Sequence, residues 1–402
     1  MAVSGHARPN DWILCRLTDI GSIVAGGTPS REVPVYWNGD IPWLTPGELT
    51  GHVEAYVHST QERITGQGLA DSGAVVFPRD TLMVTTRATL GNRGLAAQPM
   101  ATNQGFKNVI FKDGAHPKYF YHLTDLLRSE LVRRASGTTF LEISGKEFGR
   151  IEVAVPPLQE QRRVAEILDT IDDAILATER VRAKLKVCVR PLISDLFGSL
   201  APRLARRLAD CGTWFSGGTP STDQARYWDG GIPWITSSSL RHKFLSQSER
   251  TLTHAGVSAG SRMVQAGTLL FVVRGMSLKS EFRVGIAARE LAFGQDCKAL
   301  MPYQDIMPEY LWAFLKLKEP EILGLVDEAS HGTGRLQTEL IGGIDVPIAA
   351  IDEQKRIVAT LRALERRIES ESAWLEKVRQ CRQGLAADLL SGRVGTVGSL
   401  AS

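Results

Sequence analysis

The chain repeats itself once, and this limits its possible folds more than any other property of the sequence. Gly26-Gly27-Thr28-Pro29-Ser30 returns 191 residues later as Gly217-Gly218-Thr219-Pro220-Ser221. The same interval relates Tyr36-Trp37 to Tyr227-Trp228, Ile41-Pro42-Trp43 to Ile232-Pro233-Trp234, and Thr45 to Thr236. Residues 26–49 and 217–240 agree at 13 of 24 positions without a gap, where unrelated segments would agree at about one or two. The interval becomes 187 at Arg87/Arg274 and returns to 191 at Gly94/Gly285, Gln104/Gln295, Lys107/Lys298 and Tyr119/Tyr310. Gly137-Thr138 and Gly332-Thr333 stand 195 apart, and from Ile151/Ile344 through Glu160-Gln161/Glu353-Gln354 to Asp195-Leu196/Asp388-Leu389 the interval is 193. Each copy thus holds a variable middle between fixed ends. A period this long, present twice, predicts two related domains and excludes a solenoid, whose repeats run to about 20–50 residues.

Each copy divides again. Its first part, about residues 11–155 and 204–348, is rich in Gly, Pro and Thr, with short apolar runs such as Ala74–Phe77 and Leu269–Val273 that predict buried strands. Within it, Pro117–Ala135 and Pro308–Val326 are the best helical candidates. The second part carries apolar residues at alternating spacings of three and four: Val164, Leu168, Ile171, Ile175, Thr178, Val181, Leu185, Cys188, Leu192 and Leu196. The matching seam is Ile357, Leu361, Leu364, Ile368, Glu371, Leu375, Val378, Cys381, Leu385 and Leu389. This is the pattern of a coiled coil. Pro156-Pro157 suits a helix start, Glu160 favours the first turn, and Gly198 marks the stop. Pro191 is expected to kink or interrupt the first helix near its end.

Each helix would be about 38 residues, or about 57 Å long. Residues 157–198 carry seven basic and seven acidic side chains, so the apolar stripe must be buried and the duplicate helix is the nearest partner. Antiparallel pairing would relate the two domains by a pseudo-two-fold axis. The expected architecture is α+β: a domain over residues 1–155, a long helix over 156–200, a second domain over 201–349, a second long helix over 350–392, and a flexible tail over 393–402.

Composition narrows the class. The 402 residues are 43% hydrophobic and 23% charged, as in ordinary globular proteins. No apolar run reaches the 18 or so residues of a membrane span, and Met1–Asn10 lacks a signal-peptide core, so a cytoplasmic location is expected. Cys15, Cys188, Cys211, Cys297 and Cys381 are scattered, with no histidine at zinc-ligand spacing, so no metal site is expected. No phosphate-binding loop, H-E-x-x-H or G-x-S-x-G motif is present. Gly26-Gly27-Thr28 lacks the following G-x-G-x-x-G and reads as a tight turn into an extended segment. Tyr36-Trp37 and Trp43, with their repeats, read as core aromatics rather than nucleotide platforms.

A net charge of +3 does not announce nucleic acid by itself, but the positive charge is local. Between Thr81 and Lys112 the chain has Arg87, Arg93, Lys107 and Lys112 and no acid. Thr86, Asn92, Asn103 and Gln104 are interspersed. Copy two has Arg274, Lys279 and Arg283 against Glu281, then Gln295 and Lys298. Lys and Arg neutralise phosphates, and Arg, Asn and Gln read base edges, so the twelve of these residues other than Lys112 and Glu281 are the DNA-binding candidates. The alternative is an ordinary solvated face.

These residues together resemble the specificity subunit of type I restriction-modification systems. The resemblance rests on Gly26-Gly27-Thr28-Pro29-Ser30, Tyr36-Trp37-x-Gly39-x-Ile41-Pro42-Trp43, Gly137-Thr138-Thr139 and Pro156-Pro157-Leu158-Gln159-Glu160-Gln161 opening a long helix. It spans nearly the whole chain and occurs twice. Ala349-Ala350-Ile351-Asp352-Glu353-Gln354 replaces the proline-rich helix start in copy two. The resemblance implies a non-catalytic reader of double-stranded DNA. Each target-recognition domain would read half of a bipartite asymmetric site, and the paired helices would set the spacer. It also implies two methyltransferase subunits bringing S-adenosylmethionine, and restriction subunits that translocate and cleave with ATP and Mg, with no cofactor on this chain. A stand-alone DNA-binding or architectural protein, an enzyme with a dispersed site, and a modification-only system remain open readings at this point.

Overall fold

The structure is a computed structural model that describes residues 9, 11–87, 89–137, 141–200, 205–329 and 332–396. It forms two compact units, residues 1–180 with 373–402, and residues 181–372. Neither unit is a continuous stretch of one copy, because each takes in part of both long helices.

In the first unit a five-stranded sheet runs in the order Gly21–Ala25, Phe106–Phe111, Leu82–Thr85, Arg93–Ala96, Tyr56–Val57, antiparallel except for its last pair. A four-stranded sheet runs Glu62–Ile64, Trp37–Leu44, Met100–Thr102, Val76–Phe77. Strands Ile13–Arg16 and Glu152–Val155 pair antiparallel and bring the two ends of the copy together. The second unit repeats all three arrangements. Its five-stranded sheet is Gly212–Ser216, Cys297–Pro302, Leu269–Val272, Val284–Ala287, Phe244–Leu245. Its four-stranded sheet is Thr251–Leu252, Trp228–Ile235, Leu291–Phe293, Arg262–Val264, and Ala205–Arg207 closes on Asp345–Pro347. The α+β expectation holds in both copies.

The repeated motifs hold one another in place. The Trp43 indole N–H donates to the Gly27 carbonyl at 2.9 Å and that of Trp37 to Ser30 at 3.0 Å. In copy two Trp234 donates to Gly218 at 3.2 Å and Trp228 to Ser221 at 3.1 Å. The indoles meet edge to face, with centroids 5.1 and 5.2 Å apart, so the tryptophans pack the cores as expected, whereas the half-exposed Tyr36 turns its hydroxyl to Asp71. The glycine pair does not make the expected tight turn. Residues 26–30 form neither a turn nor a strand, and a Cβ on Gly26 would lie 2.2 Å from the Thr102 carbonyl oxygen, one on Gly27 2.2 Å from that of Gly73. Glycine is required there by close backbone approach rather than by backbone dihedral freedom.

The Glu-Gln pair that opens each long helix has an equally local cause. Gln161, 2% exposed, accepts from the backbone N–H of His116 at 2.8 Å and donates to the carbonyls of Gly114 (3.1 Å) and Pro156 (2.9 Å). Gln354, fully buried, repeats the arrangement with Met307 N–H (2.8 Å), Asp305 (2.8 Å) and Ala349 (2.9 Å). One buried amide thus ties the start of the long helix to the start of the domain helix and satisfies polar groups that burial would otherwise strand.

The long helices are Leu158–Gly198 and Ile351–Ser391, 41 residues each, slightly longer than expected. In the first unit Val164, Ala165 and Leu168 share a core with Ala386, Leu389 and Leu390 and with Tyr119, Phe120 and Leu123 of the helix Pro117–Arg134. In the second, Ile193 and Phe197 share a core with Ile357, Val358 and Leu361 and with Tyr310, Leu311 and Phe314 of the helix Pro308–Leu317. Arg379 pairs with Glu179 and Arg382 with Asp172, so within the first unit the two segments run antiparallel.

Several expectations need correction. The first long helix is continuous through Pro191. Cys188 and Cys381 are exposed rather than seam residues. Near the end of the first helix the most buried positions are Ile193 and Phe197, one residue after the predicted Leu192 and Leu196, because a strict heptad drifts on a helix of 3.6 residues per turn. The helix expected over 308–326 breaks at Lys318, resumes as Glu319–Leu323, and gives way to the strand Val326–Ala329. Pro320, in the first turn of the second piece, cannot donate back into the first. The start of the tail is pinned: the Thr396 backbone N–H donates to Glu160 at 2.9 Å.

A charged network joins the domain helix to both long helices of the first unit. Arg382 donates to Asp172 (2.9 and 3.0 Å), to Asp125 (2.8 Å) and to Nδ1 of the fully buried His122 (3.2 Å). An arginine only donates, so His122 donates from Nε2 to Asp169 at 2.9 Å, and Lys118 reaches the same carboxylate at 2.6 Å. Burial raises the carboxyl pKa of Asp125, but Arg93 and Arg382 outweigh it and hold the group below the usual range. Burial acts likewise on Asp169, and His122 and Lys118 outweigh it. Carboxylates held low in the folded state stabilise it fully above the unfolded pKa of about 3.9, and that contribution disappears as pH falls through the depressed values. Arg382→Ala is expected to cost about 2–4 kcal/mol in urea unfolding, below the upper range for fully buried pairs because the network keeps some solvent contact. The variant should also lose less stability than wild type between pH 5 and pH 3, as monitored by circular dichroism. An unchanged unfolding midpoint would show that the network contributes nothing.

Candidate nucleic-acid interface

The sequence candidates of copy one fall into two groups. Thr86, Arg87, Asn103, Gln104 and Lys107 converge where the strand Leu82–Thr85 ends beside the start of Phe106–Phe111. The Thr86 N–H donates to the Gly105 carbonyl at 2.8 Å, and the Thr86 carbonyl accepts from Ile143 at 3.0 Å. Thr86 is fully buried, so its role there is structural. Asn103 Oδ1 accepts from the Gly105 N–H at 2.9 Å and shapes the turn that presents Gln104. Gln104 is exposed, and its amide oxygen accepts from the Thr28 hydroxyl. Arg87 is also exposed. It forms an antiparallel bridge with Glu142, and its guanidinium lies 3.9 Å from that carboxylate.

Lys107 is only 7% exposed and its Nζ is 3.5 Å from the Thr86 hydroxyl. Burial lowers its pKa, against a smaller opposing effect of Glu142. A cation so enclosed does not meet a phosphate without rearrangement. Arg93 is in the second group, apart from that convergence. It pairs with Asp125 at 2.5 Å and its guanidinium lies 4.4 Å from the Tyr121 ring centroid, which commits it to packing the domain helix. Asn92 sits in the connection between Leu82–Thr85 and Arg93–Ala96, with its N–H on the Thr85 hydroxyl at 3.0 Å. Of the Gly137-Thr138-Thr139 motif, the two threonines lie outside the described residues.

Copy two places Arg274 and Gln295 as copy one places Arg87 and Gln104. The N–H groups of Val273 and Arg274 donate to the Asp296 carbonyl at 2.9 and 3.2 Å, which sets Arg274 beside the exposed Gln295. Lys298 donates to the Ser216 hydroxyl at 2.6 Å, a second repeated lysine engaged within its domain. Arg283 donates to Glu281 (2.9 Å) and to the Ser237 carbonyl (3.1 Å). Lys279 pairs with Glu328 at 2.8 Å. Arg274–Gly275 forms the edge of a three-stranded sheet with Thr333–Leu336 and Val326–Ala329, where copy one shows, among the described residues, the bridges of Glu142 with Arg87 and Ser136.

The exposed groups brought together are therefore Arg87 with Gln104 and Arg274 with Gln295. Sequence reasoning missed their cross-strand neighbours Glu142 and Arg335. The interval of 193 that aligns the helices also aligns these two, and the reversal of charge between them was visible. Among the described residues no cluster of His, Cys, Asp and Glu is arranged to hold a metal, and no helix is long and apolar enough to cross a membrane.

A family model for the type I restriction modification DNA specificity domain matches the chain twice, over residues 9–187 and 205–380. The chain is 33% identical over 196 residues to the type I restriction enzyme MjaIX specificity subunit of Methanocaldococcus jannaschii, covering 48% of this chain and 45% of that protein. It is 24% identical over 255 residues to the EcoR124I/EcoR124II specificity subunit of Escherichia coli, covering 61% and 62% respectively. The chain thus spans about half to three fifths of the length of these curated relatives. A chain solved in work on complex assembly and conformational transition of the type I R-M system superposes with a TM-score of 0.67. That match covers 97% of this chain and 100% of the other. The crystal structure of the HsdS subunit from Thermoanaerobacter tengcongensis gives a TM-score of 0.55, covering 98% and 100%. Both are 16% identical to the chain, so the likeness concerns the fold.

Proposed function

The chain belongs to the type I restriction modification DNA specificity domain family, and from that premise we propose that it is the sequence-reading subunit of a type I restriction-modification assembly. Each copy reads one half of a bipartite asymmetric site on double-stranded DNA. The long helices, each contributing to both units, set the spacer and dock two methyltransferase subunits. Methyl transfer from S-adenosylmethionine and ATP- and Mg-dependent translocation and cleavage belong to partner chains, and this chain carries no cofactor and acts in the cytoplasm.

The observation that carries this reading is the repeated exposed pair, Arg87 with Gln104 and Arg274 with Gln295, at the same place in two copies of one fold. Arginine and glutamine are suited to guanine and adenine edges in the major groove. Divergent residues on a shared scaffold would read different half-sites. The enclosed Lys107, Lys298 bonded to Ser216, and Arg93 fit the scaffold rather than the contact.

With its methyltransferase subunits the chain should direct methylation to one split site, and alone it should transfer no methyl group; transfer by the chain alone would overturn the assignment. Arg87→Ala or Gln104→Ala should relax recognition at one half-site by about 1–3 kcal/mol, and Arg274→Ala or Gln295→Ala at the other. A uniform loss over unrelated sequences would mark them as phosphate contacts instead.

Removing seven residues from the middle of each long helix shortens it by about 10 Å. The preferred spacer should then fall by about 3 base pairs, at 3.4 Å each. Sequencing of methylated sites reads this directly, and an unchanged spacer would refute the helices as a ruler.

A further inference from the structure

The two copies differ in charge along one cross-strand row. In copy two Arg274 lies directly opposite Arg335, and Arg335 opposite Asp327, so the three side chains share one face of the small sheet. In copy one the same row is Arg87, Glu142 and Ser136. The substitution that matters is Glu142 by Arg335.

In copy one Arg87 has a carboxylate 3.9 Å away. In copy two Arg274 and Arg335 are both exposed, and among the described residues neither guanidinium has a carboxylate at ion-pairing distance. The acids nearby are taken or turned to other groups. Asp327 accepts from Gln337 at 2.8 Å, Glu328 pairs with Lys279 at 2.8 Å, and Glu281 holds Arg283 at 2.9 Å. Asp296 meets Arg274 through its backbone carbonyl. Like charges directly opposite in a sheet destabilise it, so two adjacent unpaired arginines are a liability to folding. A polyanion that enters between them removes the repulsion and releases counterions.

Resting on the DNA-reading function above, we propose that Arg335 clamps the DNA backbone beside the base-reading Arg274 in copy two, and that Glu142 withholds this contact in copy one. The clamp adds a salt-dependent contribution to the affinity for the copy-two half-site, beside its base contacts. Copy one depends correspondingly more on its base contacts.

The test uses the full chain with its methyltransferase subunits on a duplex carrying the site found by methylation mapping. Arg335→Glu installs the residue that copy one accommodates at the same place, and Arg335→Gln removes the charge alone. Both should weaken binding, the glutamate by roughly tenfold or more near 0.15 M salt, and reduce the slope of log K against log salt by about one. The methylated sequence should be unchanged. The reciprocal Glu142→Arg should tighten binding and steepen the slope. Thermal unfolding equal to or above wild type separates loss of contact from loss of fold. Affinity and slope unchanged in all three variants would overturn the clamp while the DNA-reading function stands. Altered target bases with an unchanged slope would overturn it in favour of direct readout by Arg335. A wild-type assembly that methylates no preferred site would refute the underlying function instead.

Discussion

The main core of each unit is closed by helical residues from both copies, and the rest of the structure depends on this. The first unit buries Ala386, Leu389 and Leu390 against Val164, Leu168 and Phe120, and the second buries Ile193 and Phe197 against Ile357, Leu361 and Phe314. A buried leucine contributes about 1.5–3 kcal/mol, so the borrowed residues amount to a large part of the stability of a domain this size. The duplicated sequence is therefore not a pair of separable modules. The domain helices pack on the sheet strands on one side and on the long helices on the other, so the long helices complete the packing behind the sheets.

Closure of this kind raises the question of how each domain finds its own helix, since the two copies share the buried glutamine clamp. The answer lies in reversed charge. In copy one Lys118 of the domain helix pairs with Asp169 of the long helix at 2.6 Å. At the corresponding positions Glu309 pairs with Arg362, and Lys243 joins Glu309 at 3.4 Å and Glu365 at 2.8 Å. A domain set on the wrong helix start would face lysine with arginine and glutamate with aspartate. The buried clamp is common to both copies, and the charges around it discriminate, as specificity built from repulsion requires.

The sequence revealed the duplication, the paired long helices and the aromatic core, because each is written in spacing or repetition. It was less informative where the cause is tertiary. The Gly26-Gly27 pair answers to the carbonyls of Thr102 and Gly73, which spacing does not disclose. Cys188 and Cys381 fit a heptad on paper, yet they are exposed because burial near the helix ends follows the domain helices as well as the partner helix. Arg93, in an acid-free stretch, resembles a phosphate ligand until the fold brings Asp125 and Tyr121 against it. An acid-poor stretch reports local sequence charge, whereas the fold decides which cations remain free.

That distinction separates repetition from recognition. Lys107 and Lys298 recur at a fixed place in both copies, and both are engaged within their own domains, one enclosed beside Thr86 and the other bonded to Ser216. Arg87 and Arg274 also recur, but the residue opposite changes from glutamate to arginine. A cation repeated with its surroundings serves the scaffold, which both copies must build. One repeated with a changed partner presents a different electrostatic surface on the same scaffold, and a reader of two unlike half-sites needs that difference.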